Sequence, residues 1–140
     1  MKKMNRKGFT IVELVIVIAV IAILAGVLIP TFSGIVTKAQ DSKALQETRN
    51  AMVDYISKQE TGSITDGTEF YYFADGFPTV AGNDYKAYKF TYTGNKLVAA
   101  NPNTVTVVVT VTDANKAYSI GGTAVTFVST VDGNVKVKAN

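Results

Sequence analysis

Gly8-Phe9-Thr10-Ile11-Val12-Glu13-Leu14 opens an apolar run that continues without a charge from Leu14 to Ile29. A short basic leader with Lys2, Lys3, Arg6 and Lys7 stands directly before it. A helix from Phe9 to about Phe32 rises ~36 Å at 1.5 Å per residue, enough to cross a hydrocarbon core of about 30 Å once. The four leader cations precede this helix, whereas Lys38 and Lys43 beyond it are accompanied by Asp41. The positive-inside bias therefore places the N-terminus in the cytoplasm and the remainder outside.

Glu13 is the residue that a simple membrane segment does not explain. A positive leader followed by an apolar stretch also describes a secretory signal peptide or a plain anchor. Glu13 interrupts what would be the apolar core of a signal peptide, and Ile23-Leu24-Ala25 before Gly26 makes a mediocre cleavage point. A plain anchor gains nothing from a carboxylate at membrane depth, where it is costly. Glu13 lies one helical turn after Phe9 on the same face, so its carboxylate can meet an ammonium in its own chain or in a neighbour. The bland alternative is a glutamate that snorkels to the interface and favours the helix dipole.

Lys7-Gly8-Phe9-Thr10-Ile11-Val12-Glu13-Leu14 resembles the class III signal of type IV pilins and their pseudopilin relatives. The likeness covers roughly residues 1 to 50, and beyond that only the general layout agrees. It implies removal of the leader, residues 1–8, by a prepilin peptidase cutting between Gly8 and Phe9, with Phe9 then N-methylated. It also implies that Glu13 pairs with Phe9 of a neighbouring subunit, that residues 9–32 form the transmembrane and filament-core helix, and that subunits form a homopolymer. A platform membrane protein and a cytoplasmic assembly ATPase would drive the process. The subunit would sit in the cytoplasmic membrane before assembly and in a surface filament afterwards.

Gly26 and Pro30 add a second mark inside the run. Glycine lowers helix propensity by about 1 kcal/mol, and proline removes a hydrogen bond and crowds the preceding turn. The helix is expected to bend or loosen there. By resemblance this is a segment that melts when subunits pack, while a passive kink tolerated in a membrane helix is the other reading.

Beyond Phe32 the helix turns polar, with adjoining stripes Ala44, Ala51, Tyr55 and Leu45, Met52, Ile56 at i, i+7, i+11 spacing. This predicts an amphipathic helix over 33–62 that covers a sheet and ends at Thr61-Gly62-Ser63. Residues 63–140 read as loop and sheet. Thr104 to Thr112, Ala124 to Val131 and Val135 to Lys138 are rich in Val and Thr, and Gly94-Asn95, Gly121-Gly122 and Asp132-Gly133 punctuate them as hairpin turns. The expectation is an α+β pilin fold: a long N-terminal helix packed on an antiparallel meander, with Ser63 to about Asp84 as the connecting loop.

Composition narrows the chemistry. The chain has 140 residues, with no cysteine and no histidine, which excludes thiol and imidazole catalysis and the commonest zinc sites. No Ser-x-x-Lys, Gly-x-Ser-x-Gly or phosphate-cradling motif is present. No enzyme activity, cofactor or metal is called for. Asp113-Ala114-Asn115 and Asp132-Gly133-Asn134 read as turn chemistry rather than calcium loops. Fourteen basic residues less the leader's four leave ten against eleven acidic ones, so the formal charge of +3 belongs to the precursor and no specific nucleic-acid partner is inferred. The aromatics Phe70-Tyr71-Tyr72-Phe73, with Phe77, Tyr85, Tyr88, Phe90 and Tyr92, are expected in packing.

Three functions fit these features. The first is a structural subunit of a type IV pilus, serving adhesion, motility or DNA uptake. The second is a pseudopilin of a type II secretion or competence system. The third is a signal-anchored surface domain that never polymerises, which would keep its leader and be indifferent to Glu13.

Overall fold

The computed structural model describes residues 7–59, 62–78, 80–112, 115–128 and 133–139, with backbone alone over 110–112 and 115–116. The chain divides into two units, Met1–Gln40 and Asp41–Asn140. One α-helix, α1 (Ile11–Lys58), fills most of the first and contributes its last turns to the second.

In the first unit the helix begins where the sequence supplies a cap. Thr10 and Glu13 form a reciprocal capping box: the Glu13 amide donates to Thr10 Oγ1 at 3.2 Å, and the Thr10 amide donates back to Glu13 Oε2 at 2.8 Å. Pro30 lies inside α1 without ending it. Proline denies one carbonyl of the preceding turn its N–H partner. Next to it, the Thr31 hydroxyl donates to the Val27 and Leu28 carbonyls at 3.1 and 2.9 Å, a side-chain contact of the kind that supports interrupted helices in an apolar medium. The large apolar side chains from Phe9 to Val36 are all exposed.

The second unit is held together by the other end of α1 and a seven-stranded antiparallel sheet. Ala44, Thr48 and Ala51 are buried, one helical turn apart, and their small side chains bring the helix close to the sheet. Leu45, Met52 and Tyr55 flank them and pack with Phe70, Tyr72, Phe90, Val135 and Val137. Thr48 is the polar member of this buried stripe. Its hydroxyl donates to the Ala44 carbonyl at 2.7 Å, and a threonine satisfied by its own helix is buried at little cost.

The strands are β1 (Glu69–Tyr72), β2 (Asp84–Thr93), β3 (Lys96–Thr112), β4 (Asn115–Ile120), β5 (Thr123–Val125), β6 (Phe127–Val128) and β7 (Val135–Lys138). They are ordered β5-β4-β3-β2-β1-β7-β6. The expected turns at Gly94-Asn95 and Gly121-Gly122 join β2 to β3 and β4 to β5, with all four residues at positive φ as such tight hairpins require. Of the third expected turn, Asp132 lies outside the described residues, as do Asp113 and Ala114.

Two expectations need correction. The stretch from Ser63 to Asp84 is not all loop, because β1 lies within it and pairs with β2 on one side and β7 on the other. Nor is the sheet a simple meander. β1 to β5 follow in order, but β7 returns to β1, and Thr126 alone separates β5 from β6. The two ends of the strand order are therefore one short segment, 123–128, and the sheet closes on itself. Tyr118 on β4 and Phe127 on β6 stand with ring centroids 5.3 Å apart, as closure requires.

Closure creates a second core on the sheet face away from α1. Tyr71, Phe73, Ala87 and Val107 are buried there, with Phe77, Tyr118 and Phe127 packed against them. The rings meet edge-on, Tyr71 with Phe127 at 5.3 Å and Phe73 with Phe77 at 5.3 Å. The aromatics are thus packing residues. Pro102 sits in the part of β3 that has no β4 partner, where a missing N–H breaks no ladder bond on that side.

Glu69 fastens β1 to both its neighbours. It forms ion pairs with Lys89 on β2 and with Lys138 on β7 at 3.1 Å, and accepts the Tyr71 hydroxyl at 3.0 Å. Partial burial alone would raise its carboxyl, but these donors outweigh it and hold Glu69 below the usual 4.5. Burial, reinforced by Glu69, pushes the Tyr71 phenol up. A carboxyl that titrates lower folded than unfolded adds stability above its unfolded value and loses it as pH falls through the folded one. Glu69→Gln should therefore lower the urea midpoint near neutral pH and flatten its fall below about pH 4.5. An unchanged pH profile would remove Glu69 from the acid sensitivity of the fold.

Candidate functional site

The expected processing residues lie in a short non-helical stretch. Residues 7–10 precede α1, Gly8 is exposed, and Phe9 is 88% exposed. Among the described residues, apart from its two chain neighbours, nothing comes within 4 Å of where a side chain on Gly8 would begin. Gly8 and Phe9 are thus unpacked among the described residues, and the capping box starts one residue later.

Glu13 occupies the third helical position, with its carboxylate turned back to Thr10. Oε2 accepts both the amide and the hydroxyl of Thr10, at 2.8 and 2.9 Å. Thr10 was not singled out as a site residue, although Thr-x-x-Glu before an apolar run is the sequence signature of this cap. Phe9, Thr10 and Glu13 gather at one end of the helix, while Gly26 and Pro30 lie further along it.

Between them runs an uncovered apolar surface. Ile11, Ile23, Ile29 and Phe32 are each about two-thirds exposed or more, and α1 contains a segment long and apolar enough to cross a membrane. Exposed apolar area on this scale marks a lipid or protein contact rather than a water-facing surface. Among the described residues no group of three or more Asp, Glu, His or Cys gathers to hold a metal ion.

Residues 3–29 match the family model described as the prokaryotic N-terminal methylation motif. A fimbrial protein of Dichelobacter nodosus is 30% identical over 114 residues, covering 77% of this chain and 68% of that protein. The chain belongs to the type IV pilin family. A fimbrial protein of Moraxella nonliquefaciens is 32% identical to the pilin over 100 residues, 71% of this chain and 58% of the relative. The type IV major fimbrial protein FimA of Dichelobacter nodosus is 44% identical over 46 residues, 33% of this chain and 30% of its own. The pilin thus spans less than two thirds of the length of these last two relatives. No solved structure matches it. The family is a structural one, not a family of enzymes.

Proposed function

We propose that this pilin is the structural subunit of a type IV pilus. The observation that carries the reading is the exposed apolar helix that begins with a capped glutamate one turn after the exposed Gly8 and Phe9. A prepilin peptidase removes residues 1–8 and Phe9 becomes the N-methylated first residue. The apolar segment over 9–32, helical from Ile11, anchors the subunit in the cytoplasmic membrane with its N-terminus inside, and the sheet unit lies outside.

Assembly follows from what a bilayer makes costly. An unpaired carboxylate and an unpaired amine are both poorly tolerated in hydrocarbon, and they attract strongly when brought together there. Glu13 of one subunit and the new ammonium of Phe9 in its neighbour supply such a pair. Stacking then lays the apolar helices side by side as the filament core and displays the sheet unit outside. A platform membrane protein and an assembly ATPase move the subunits, and Gly26 and Pro30 provide the turns that loosen on packing. The matched relatives carry the names of fimbrial proteins, which supports a surface pilus over a secretion filament.

Gly8→Val tests the processing step. In a host carrying the pilus machine, the variant should accumulate uncut in the membrane, with cleavage abolished by intact mass. Normal cleavage at Gly8–Phe9 would show that the small residue is not read.

A further inference from the structure

The Tyr72 hydroxyl is a polar group that packing does not explain. Tyr72 is 4% exposed and belongs to the core that holds Ala44 and Ala51 of α1 against the sheet. Other buried polar side chains of this unit are bonded within it: Thr48 to the Ala44 carbonyl, Thr68 to the Thr65 carbonyl and Tyr71 to Glu69. The Tyr72 hydroxyl forms no hydrogen bond among the described residues, and phenylalanine would fill the same space without taking a hydroxyl out of water. Among the described residues no fully buried side-chain oxygen or nitrogen stands without a partner. The hydroxyl therefore touches solvent, and Tyr72 lines a cleft of about 360 Å³ between α1 and the turn into β7.

The walls of this cleft carry polar groups of both kinds. Lys43 and Glu47 stand on α1 at i, i+4 spacing, where ion pairs commonly form, yet neither is paired among the described residues. Asn50 accepts from Gln46 through Oδ1 at 3.1 Å, which leaves its Nδ2 to donate elsewhere. On the opposite wall the Asn134 carbonyl accepts the Phe73 amide at 2.8 Å, while its side-chain amide has no partner among the described residues. Ala51 and Val135, both buried, add an apolar strip between the walls.

We propose that this cleft binds a neutral pyranose at the end of a glycan chain, with the Tyr72 hydroxyl bonded to a hydroxyl of the sugar. The site belongs to the sheet unit and is independent of how subunits assemble. A sugar hydroxyl both donates and accepts, so it is matched by donors such as Lys43 and Asn50, an acceptor such as Glu47, and groups that do both, Tyr72 and Asn134. The apolar strip suits the C–H face of the ring. The cleft lies at the low end of the range of about 300–1,000 Å³ for small-ligand sites. Lys43 balances Glu47, and Lys58 balances Asp54 at 2.6 Å, so the lining has no surplus charge to draw an ionic ligand.

The test uses the full chain in micelles of a detergent without a sugar headgroup, with tyrosine rings and side-chain amides labelled for NMR. The probes are the methyl glycosides of glucose, galactose, mannose and N-acetylglucosamine, the same sugars unmethylated, and N-acetylneuraminic acid as the acidic comparison. At least one neutral methyl glycoside should shift the Tyr72 ring and the Asn50 and Asn134 side-chain amides saturably. Tyr72→Phe should weaken that binding about tenfold, in line with one lost hydrogen bond, without lowering Tm. A purely structural tyrosine would show no such separation. Failure of every methyl glycoside to bind overturns the proposal, as does binding that Tyr72→Phe leaves unchanged. Binding of the unmethylated sugars alone overturns the glycan source, since the site would then require the anomeric hydroxyl. Preference for N-acetylneuraminic acid overturns the assignment to a neutral ligand. If Tyr72→Phe does lower Tm, Asn50→Ala, at an exposed position, must reproduce the loss of binding, and full binding in that variant overturns the proposal.

Discussion

Glu13→Ala is expected to be processed at Gly8–Phe9 and inserted in the membrane like the parent chain, yet to yield essentially no surface fibre. The substitution removes the carboxylate that accepts both Thr10 donors and leaves the apolar helix intact. Insertion should not suffer, because a charged residue in a membrane segment opposes insertion rather than driving it. What disappears is the attraction that brings a new N-terminal ammonium into register with a neighbouring helix. Shear fractions, microscopy of the cell surface and intact mass of the membrane-bound chain read the three stages separately. Normal fibres from this variant would leave apolar contact alone as the source of assembly.

Phe70→Ala should have the largest effect on folding. Phe70 is fully buried on β1, meets Tyr55 of α1 edge-on with ring centroids 6.0 Å apart, and joins the helix to the centre of the sheet. Phenylalanine-to-alanine changes in cores cost about 3–5 kcal/mol, against a total of roughly 5–15 kcal/mol for a typical domain. For a unit of this size the loss corresponds to a fall in Tm of more than about 10 °C. The chain has seven tyrosines and no tryptophan, so tyrosine fluorescence follows the sheet unit during thermal unfolding. Val53→Ala is the control, since Val53 lies on the exposed side of α1 and should change stability little. Equal losses at the two positions would contradict the assignment of the core.

The features legible in the sequence are those set by local periodicity and composition. The uncharged run from Leu14 to Ile29 announced the helix, the stripes at Ala44, Ala51 and Leu45, Met52 its sheet-facing side, and Gly94-Asn95 and Gly121-Gly122 two hairpins. β1 was not legible because Phe70-Tyr71-Tyr72-Phe73 is aromatic on both faces. Phe70 and Tyr72 pack toward α1 and Tyr71 and Phe73 into the second core, so no polar alternation marks a strand. Closure of the sheet was hidden for a different reason. Ala124 to Val131 reads as one strand, and the change of partner from β4 to β7 at Thr126, within its described part, depends on residues on both sides of it in the chain. Thr48 was not legible as a buried residue, because a hydroxyl is buried at little cost only once it has a partner, here the Ala44 carbonyl. At the N-terminus the cap that joins Thr10 to Glu13 emerged only from the hydrogen bonds.

The central claim is that the chain is cut, modified and polymerised, and N-terminal sequencing with intact mass of protein sheared from the surface of the native host tests it most directly. The account predicts a polymeric fraction whose chains begin at N-methylated Phe9. Chains that begin at Met1 and remain fixed in the membrane would contradict it and leave the apolar helix as a simple anchor.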